Sequence, residues 1–317
     1  MWSYIARKLL YNVPVYLGIV AILMAALRIN DPAYAFLGKS AKPEDLLAIR
    51  EKLGLDKSFL QQYLELLGDV FTLDFEVYSW TNEGITVGRM LSESVVPSLS
   101  ITLPALVLTS SISILIALIS AFFRGRPLDK ALMFLAVLGM SISFLVYIVF
   151  GQYLGAYLLT RESDLRVFAI GGYEPGLLNW PLYCLLPVLI STIVAMGYDT
   201  RFYRAVMVEE SGRDYITTAK AKGASKRKIM FVHMLKNAMI PIITRIMTTL
   251  PFLIMGSLLL EVYFNIPGMG RVLYKAIQEQ DFPVVQVFVA IFAALFILSN
   301  ILTDVLYALV DPRVRLS

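Results

Sequence analysis

Six long apolar runs divide this chain, and they constrain its fold more tightly than any other feature. They extend from about Leu9 to Ile29, Val95 to Phe123, Ala131 to Leu159, Pro181 to Tyr203, Asn237 to Val262, and Val284 to Leu309. A hydrocarbon core about 30 Å thick is crossed by roughly 20 helical residues, and each run meets that length. Hydrophobic residues make up 58% of the 317 positions and charged residues 16%, against about 25% charged in soluble domains. The expected class is therefore an all-α integral membrane protein with six transmembrane helices, rather than the two soluble domains its length would allow.

The first run reads as an uncleaved helix. Secretory apolar regions span about 7–15 residues and end at a small-residue cleavage site, whereas this run is longer and is followed by Arg28 and Asp31. Cys184 is the only thiol and His233 the only histidine, which excludes a disulfide framework, cysteine metal sites and histidine relays. No metal site and no catalytic set are expected.

Lysine and arginine placement sets the orientation. With the N-terminus inside, the inner segments hold Arg7, Lys8, Arg124, Arg126 and Lys130, then the cluster from Arg201 to Lys236, then Arg313 and Arg315. The longer outer loops hold fewer basic residues, and the positive-inside rule then places both termini in the cytoplasm. Three regions follow: 1–30 with the first helix, an extracytoplasmic region 31–94, and a five-helix core 95–317 with a cytoplasmic segment at about 204–236.

The extracytoplasmic region carries start and stop signals for two helices. Pro43, Glu44 and Asp45 open one that Gly54 closes, and Ser58 caps the next. In the second, Phe59, Leu60, Tyr63, Leu64, Leu67 and Phe71 fall at helical spacing. That apolar face fits packing on the membrane or on the bundle, and also a docking surface for an outer partner.

The stretch from Arg201 to Ile243 is too polar to span and too patterned for a loose linker. Asp214 precedes a short helical run, Gly223 stands where a left-handed cap is wanted, and Ser225 can cap the helix that follows. Lys226, Arg227 and Lys228 then occupy a first turn, where the helix dipole favours carboxylates. Anionic lipid headgroups or the rim of a protein docking site each account for those charges.

Among polar groups within the runs, Asp199, Arg245 and Asp304 lie near helix ends and read as structural pairs. Ser141, Ser143, Ser191, Thr192, Thr248 and Thr249 read first as interhelical contacts. Ser141, Ser143, Thr248, Thr249 and Pro251 are also candidates for lining a translocation path, with Pro251 as a kink. No G-x-x-x-x-G-K-[ST] loop is present, so nothing here cradles a nucleotide phosphate.

Several ordered motifs resemble one family. They are Asp214-Tyr215, Thr218-Ala219-Lys220-Ala221-Lys222-Gly223, His233 through Pro241, Glu261 through Gly270 (acidic-aromatic-PGxG), Asp281-Phe282-Pro283, Asp311-Pro312-Arg313 and Lys52 through Asp56. The chain resembles permease subunits of binding-protein-dependent ABC importers of the dipeptide/oligopeptide/nickel group, over nearly its whole length.

The resemblance implies a type I importer fold and pairing with a second permease subunit in a bacterial or archaeal inner membrane. It also implies two cytoplasmic ATPases, which bind the ATP and magnesium, and an external solute-binding protein. An ATPase-coupling role then falls on Asp214, Tyr215, Thr217, Thr218, Ala219, Lys220, Ala221, Lys222, Gly223, Ala224 and Ser225. Peptides are the implied cargo, with nickel or another small solute as alternatives; an ion-coupled secondary transporter is the rival class.

Two departures stand out. Thr217, Thr218 and Ala219 occupy the place of a general Glu-Ala-Ala motif, and Ser143 lies where a proline is expected. The second leaves a kink in the third helix in question.

Overall fold

The computed structural model describes residues 2–29, 33, 43–52, 55–163, 167–249 and 257–310. Six helices in it are long and apolar enough to cross a membrane: Tyr4–Leu27, Val87–Phe122, Phe144–Glu162, Leu185–Ser211, Lys226–Met247 and Phe282–Val305. Each of the six apolar runs thus contributes one of these helices, with shifted ends. The second begins eight residues before its run, because Thr86 accepts a hydrogen bond from the Arg89 N–H and opens the helix there. It holds Pro97 and Pro104 in its interior. Pro104 has no N–H for the Ser100 carbonyl, which accepts instead from the Trp180 indole N–H at 2.8 Å, the way such helices tolerate proline.

The third crossing is bent. Helix Pro127–Ser141 ends at Ile142 (φ −87°, ψ 135°), and Ser143 (φ −58°, ψ 139°) starts the next helix at Phe144. The bend therefore forms without the proline. Two extended residues break the ladder, and the Tyr147 hydroxyl crosses the break to the Gly139 carbonyl at 3.0 Å. Beyond it, Gly151–Leu158 is wound as a π-helix.

The fifth run is also interrupted. Its helix starts at Lys226, passes through π-helical Ile229–Met234, and ends at Met247; a separate helix, Leu258–Tyr263, follows. Pro251 lies outside the described residues, as do Gly54 and Asp311-Pro312-Arg313.

The second and fourth helices form the most extensive pair, the third runs along the fourth, and the first packs on the sixth. Three apolar clusters hold them. One joins the first and sixth helices to helices Phe59–Thr72 and Met269–Gln278 around Phe288. A second joins the second, third and fourth helices to Phe264 and Ile266. The third lies at the end of the bundle where the basic residues gather, around Tyr203, Met207, Ile216 and Ile242.

Helix Phe59–Thr72 is capped as its sequence signals. The Ser58 side chain accepts from the Gln61 N–H and Gln61 returns the bond to Ser58, a reciprocal capping box. Part of its apolar face packs on the bundle. Leu66 and Leu67 are buried, and the Tyr63 hydroxyl reaches the Leu17 carbonyl at 3.0 Å. Leu60, Leu64 and Phe71 remain exposed, so the helix is apolar on two faces and uses one of them on the bundle.

Candidate functional site

The segment between the fourth and fifth spanning helices folds into helix Asp214–Ala221. Arg213 precedes it in extended conformation, Asp214 stands in its first turn and Lys220 in its last, both in the sense the helix dipole favours. Its end is a complete Schellman motif. The Gly223 N–H reaches the Lys220 carbonyl at 3.0 Å and the Ala224 N–H reaches the Ala219 carbonyl at 3.1 Å. Gly223 takes φ +73°, a region closed to most side chains. The Ser225 side chain then accepts from the Lys228 N–H at 3.3 Å and starts the fifth spanning helix.

One face of this short helix is an apolar plug. Ile216 and Ala219 are buried, and Ile216 joins Ala117, Leu118, Tyr203, Met207, Met234 and Ala238 in one cluster. The plug thus touches the second, fourth and fifth spanning helices together. Tyr215 is half-buried and donates its hydroxyl to the Glu210 carboxylate. Burial, with that bond second, pushes its phenol up to about 12, so it remains a donor across the physiological range.

The opposite face is open: Asp214, Thr217, Thr218 and Ala221 are exposed at the i, i+3, i+4, i+7 positions of one stripe. Lys222, Gly223 and Ser225 are exposed beyond it, and Lys220 lies at its edge. A short body with an apolar plug inward and a polar stripe outward can pass a push from outside to three spanning helices at once.

The base of the site is braced by a pair that sequence reasoning missed. Asp129, at the start of the third crossing, accepts from Arg204 Nε and Nη2, both at 2.7 Å, and from the Gly125 N–H at 2.9 Å. Ser120, on the second helix, donates to the same carboxylate and accepts from Arg204 Nε at 3.0 Å. The Arg204 guanidinium holds the Asp129 carboxyl well below the usual range, although burial alone pushes it up. Only the 75-residue separation hid this pair from sequence reasoning.

At the other end of the bundle, two buried carboxylates explain motifs that had no assigned role. Glu261 is fully buried. It accepts from the Ser98 hydroxyl at 2.7 Å and from the Arg271 N–H at 3.0 Å, while the Ser98 oxygen accepts from the Met269 N–H at 2.8 Å. The acid and the serine together satisfy the open N-terminus of helix Met269–Gln278. A side-chain carbon at Gly268 would fall on the Glu261 carboxylate, and one at Gly270 would lie 3.0 Å from Oε2. The glycines of the signature make room for the acid.

Asp281 is the second. It accepts from the Ser79 hydroxyl, the Trp80 N–H at 3.1 Å and the Thr81 hydroxyl at 2.7 Å. It pins the loop before the second helix to the start of the sixth.

The candidate path residues are not brought together by hydrogen bonds among the described residues. Ser141 donates to the Val137 carbonyl at 2.7 Å, Thr248 to that of Arg245 at 2.7 Å, and Thr249 to that of Ile246 at 2.6 Å. Each is thereby satisfied within its own helix rather than across helices, as is Thr192 by the Val188 carbonyl at 2.8 Å. Ser143 sits exposed at the bend. Asp199 pairs with Arg245 at 3.4 Å, and Asp304 with Lys8 and with Tyr4 at 3.1 Å; these are the structural pairs expected.

Comparison with known proteins decides the family. The model for the inner membrane component of binding-protein-dependent transport systems matches residues 113–316, and that for its N-terminal part matches residues 1–95. The chain belongs to this family of transport permeases.

The permease is 31% identical over 317 residues, covering 99% of itself and 100% of the relative, to a probable peptide ABC transporter permease protein of Sinorhizobium fredii. It is 30% identical over 344 residues to the dipeptide transport system permease protein DppB of Escherichia coli. To the di/tripeptide transport system permease protein DppB of Pseudomonas aeruginosa it is 29% identical over 335 residues. Each of these two matches covers 99% of both chains. The permease is thus a multi-pass inner-membrane subunit of an ABC importer of the dipeptide/oligopeptide group.

Proposed function

We propose that this permease forms half of a channel that carries peptides inward, and that helix Asp214–Ala221 receives the stroke of a separate ATPase. The observation that carries the reading is the two-faced helix itself. Its buried Ile216 is packed among three spanning helices, while its Asp214–Thr217–Thr218–Ala221 stripe is exposed among the described residues.

Both termini then lie in the cytoplasm, on the side of the basic cluster, in keeping with the positive-inside rule. The other half of the channel is a second permease subunit, and an extracytoplasmic solute-binding protein delivers the cargo. ATP and magnesium belong to the two ATPase subunits, because this chain has no phosphate-cradling loop of its own. The peptide assignment rests on the relatives, which are named for peptide and dipeptide transport.

Site-directed cross-linking tests the reading. Thr218→Cys on the open stripe is expected to cross-link to a cytoplasmic ATPase subunit, and Ile216→Cys on the plug is not. Cross-linking of Thr218→Cys to the solute-binding protein would invert the topology. Cross-linking from neither position would remove the coupling role.

A further inference from the structure

The basic end of the bundle holds a cavity beside the short helix, with Ile216 and Lys220 of that helix in its wall. It has a volume of about 340 Å³ and lies where the second and fourth spanning helices end and the fifth begins. Four cations line it: Arg124 and Arg126 from the turn before the third crossing, Lys220 from the short helix, and Lys226 from the fifth. No aspartate or glutamate is among its lining residues, and none of the four has a carboxylate within 4.0 Å among the described residues. Four like charges facing one space repel one another unless an anion is there.

Apart from Ser211, the rest of the lining is apolar, with Phe122, Ile229 and Met230 beside Ile216 and Met234. Phe122 is 40% exposed at the end of a spanning helix, and Phe123 meets its ring edge-on at 4.8 Å. The Arg126 guanidinium sits over the Phe123 ring at 5.6 Å, a stacking that leaves its N–H edge free to meet an anion. A small soluble anion needs the cations but not this apolar wall. A ligand with a charged head and a hydrocarbon body needs both, and the ends of spanning helices lie at the depth where such heads reside.

We propose that this cavity binds the phosphate of one anionic phospholipid, with the start of its acyl chains against Phe122, Ile229 and Met230. The bound lipid would sit between the short helix and the bundle, neutralising the like charges there. Its position, behind Lys220 rather than over the Thr217–Thr218 stripe, leaves the outer face clear. The proposal rests on the membrane-crossing fold and not on the cargo or on the ATPase contact, so it can fail while those stand.

The test is native mass spectrometry of the full-length permease, purified with its partner subunits and released from nanodiscs of phosphatidylcholine containing a minority of phosphatidylglycerol. Wild type is expected to retain phosphatidylglycerol in preference to phosphatidylcholine. The Arg126→Gln/Lys220→Gln double variant is expected to lose that preference by about tenfold or more. Lys130→Gln/Lys228→Gln removes the same charge from residues outside the cavity and is expected to retain it. Equal loss in both double variants would reduce the effect to general surface charge and overturn the proposal. Displacement of the lipid by millimolar inorganic phosphate would overturn it in favour of a free-anion site. Unchanged lipid retention in Arg126→Gln/Lys220→Gln, with the ATPase lost instead, would assign the cations to a protein partner.

Discussion

Asp129 and Arg204 form a two-pronged ion pair, Nε to Oδ1 and Nη2 to Oδ2 both at 2.7 Å, across the feet of the third and fourth crossings. Asp129 is 3% exposed, so its charge is stable there only because the guanidinium, Ser120 and the Gly125 N–H surround it. The pair fixes the frame against which the short helix Asp214–Ala221 is plugged.

Removing one partner is more harmful than removing both. Asp129→Asn is expected to destabilise the purified permease by about 3 kcal/mol, with Asp129→Asn/Arg204→Gln recovering part of the loss. Thermal unfolding in detergent checks this. The folded carboxyl is depressed, so its stabilising contribution is fully present above the unfolded value of ~3.9. It is lost only as pH falls through the lower folded value. The destabilisation by Asp129→Asn should therefore be the same at pH 7 and at pH 5.

The two faces of the short helix should separate stability from coupling. Ile216→Ala removes a buried side chain from the plug and is expected to cost about 2–5 kcal/mol. Thr217→Ala, on the exposed stripe, should stay within about 0.5 kcal/mol of wild type while weakening ATPase retention. Unfolding midpoints and co-purification of the ATPase, read together, check both.

At the opposite end, Glu261→Ala and Gly268→Ala should act alike. The first deletes the acceptor at the start of helix Met269–Gln278, and the second drives a methyl into it. Each is expected to cost about 1–3 kcal/mol. If Gly268→Ala is neutral in thermal unfolding, the glycine is not there to accommodate the acid.

Asp281→Asn should free the loop it pins. Its contacts with Ser79, Trp80 and Thr81 hold residues 79–81 to the sixth helix, and an amide cannot accept all of them as a carboxylate does. Faster proteolysis within that loop, with the rest of the chain intact, is the expected outcome.

Local signals in the sequence were read correctly wherever chemistry and partner lie a few residues apart. Ser58, Gly223 and Ser225 cap the helices that their positions predict, and each of the six apolar runs contributes a helix of membrane-crossing length. What sequence reading missed depends on distant partners. Glu261 meets Ser98 across 163 positions and Asp281 meets Trp80 across 201, so neither acid announces its acceptor role. Helix Phe59–Thr72 packs on the bundle through Tyr63 and Leu67 of the apolar spacing and leaves Leu60, Leu64 and Phe71 exposed, because it is apolar on two sides and periodicity alone does not say which side meets protein. The bend at Ile142–Ser143 was left in question because only proline was weighed as its cause, whereas two extended residues suffice.

The central claim, that helix Asp214–Ala221 links this permease to its motor, is tested most directly by Gly223→Val. Gly223 holds φ +73° in the cap behind the helix, where a β-branched residue is strained by roughly 1–2 kcal/mol or more, so the helix can no longer sit on its turn. Uptake and ATPase retention are measured in the same membranes. Both should be lost while insertion of the chain remains normal. Wild-type uptake with the ATPase still bound would contradict the account.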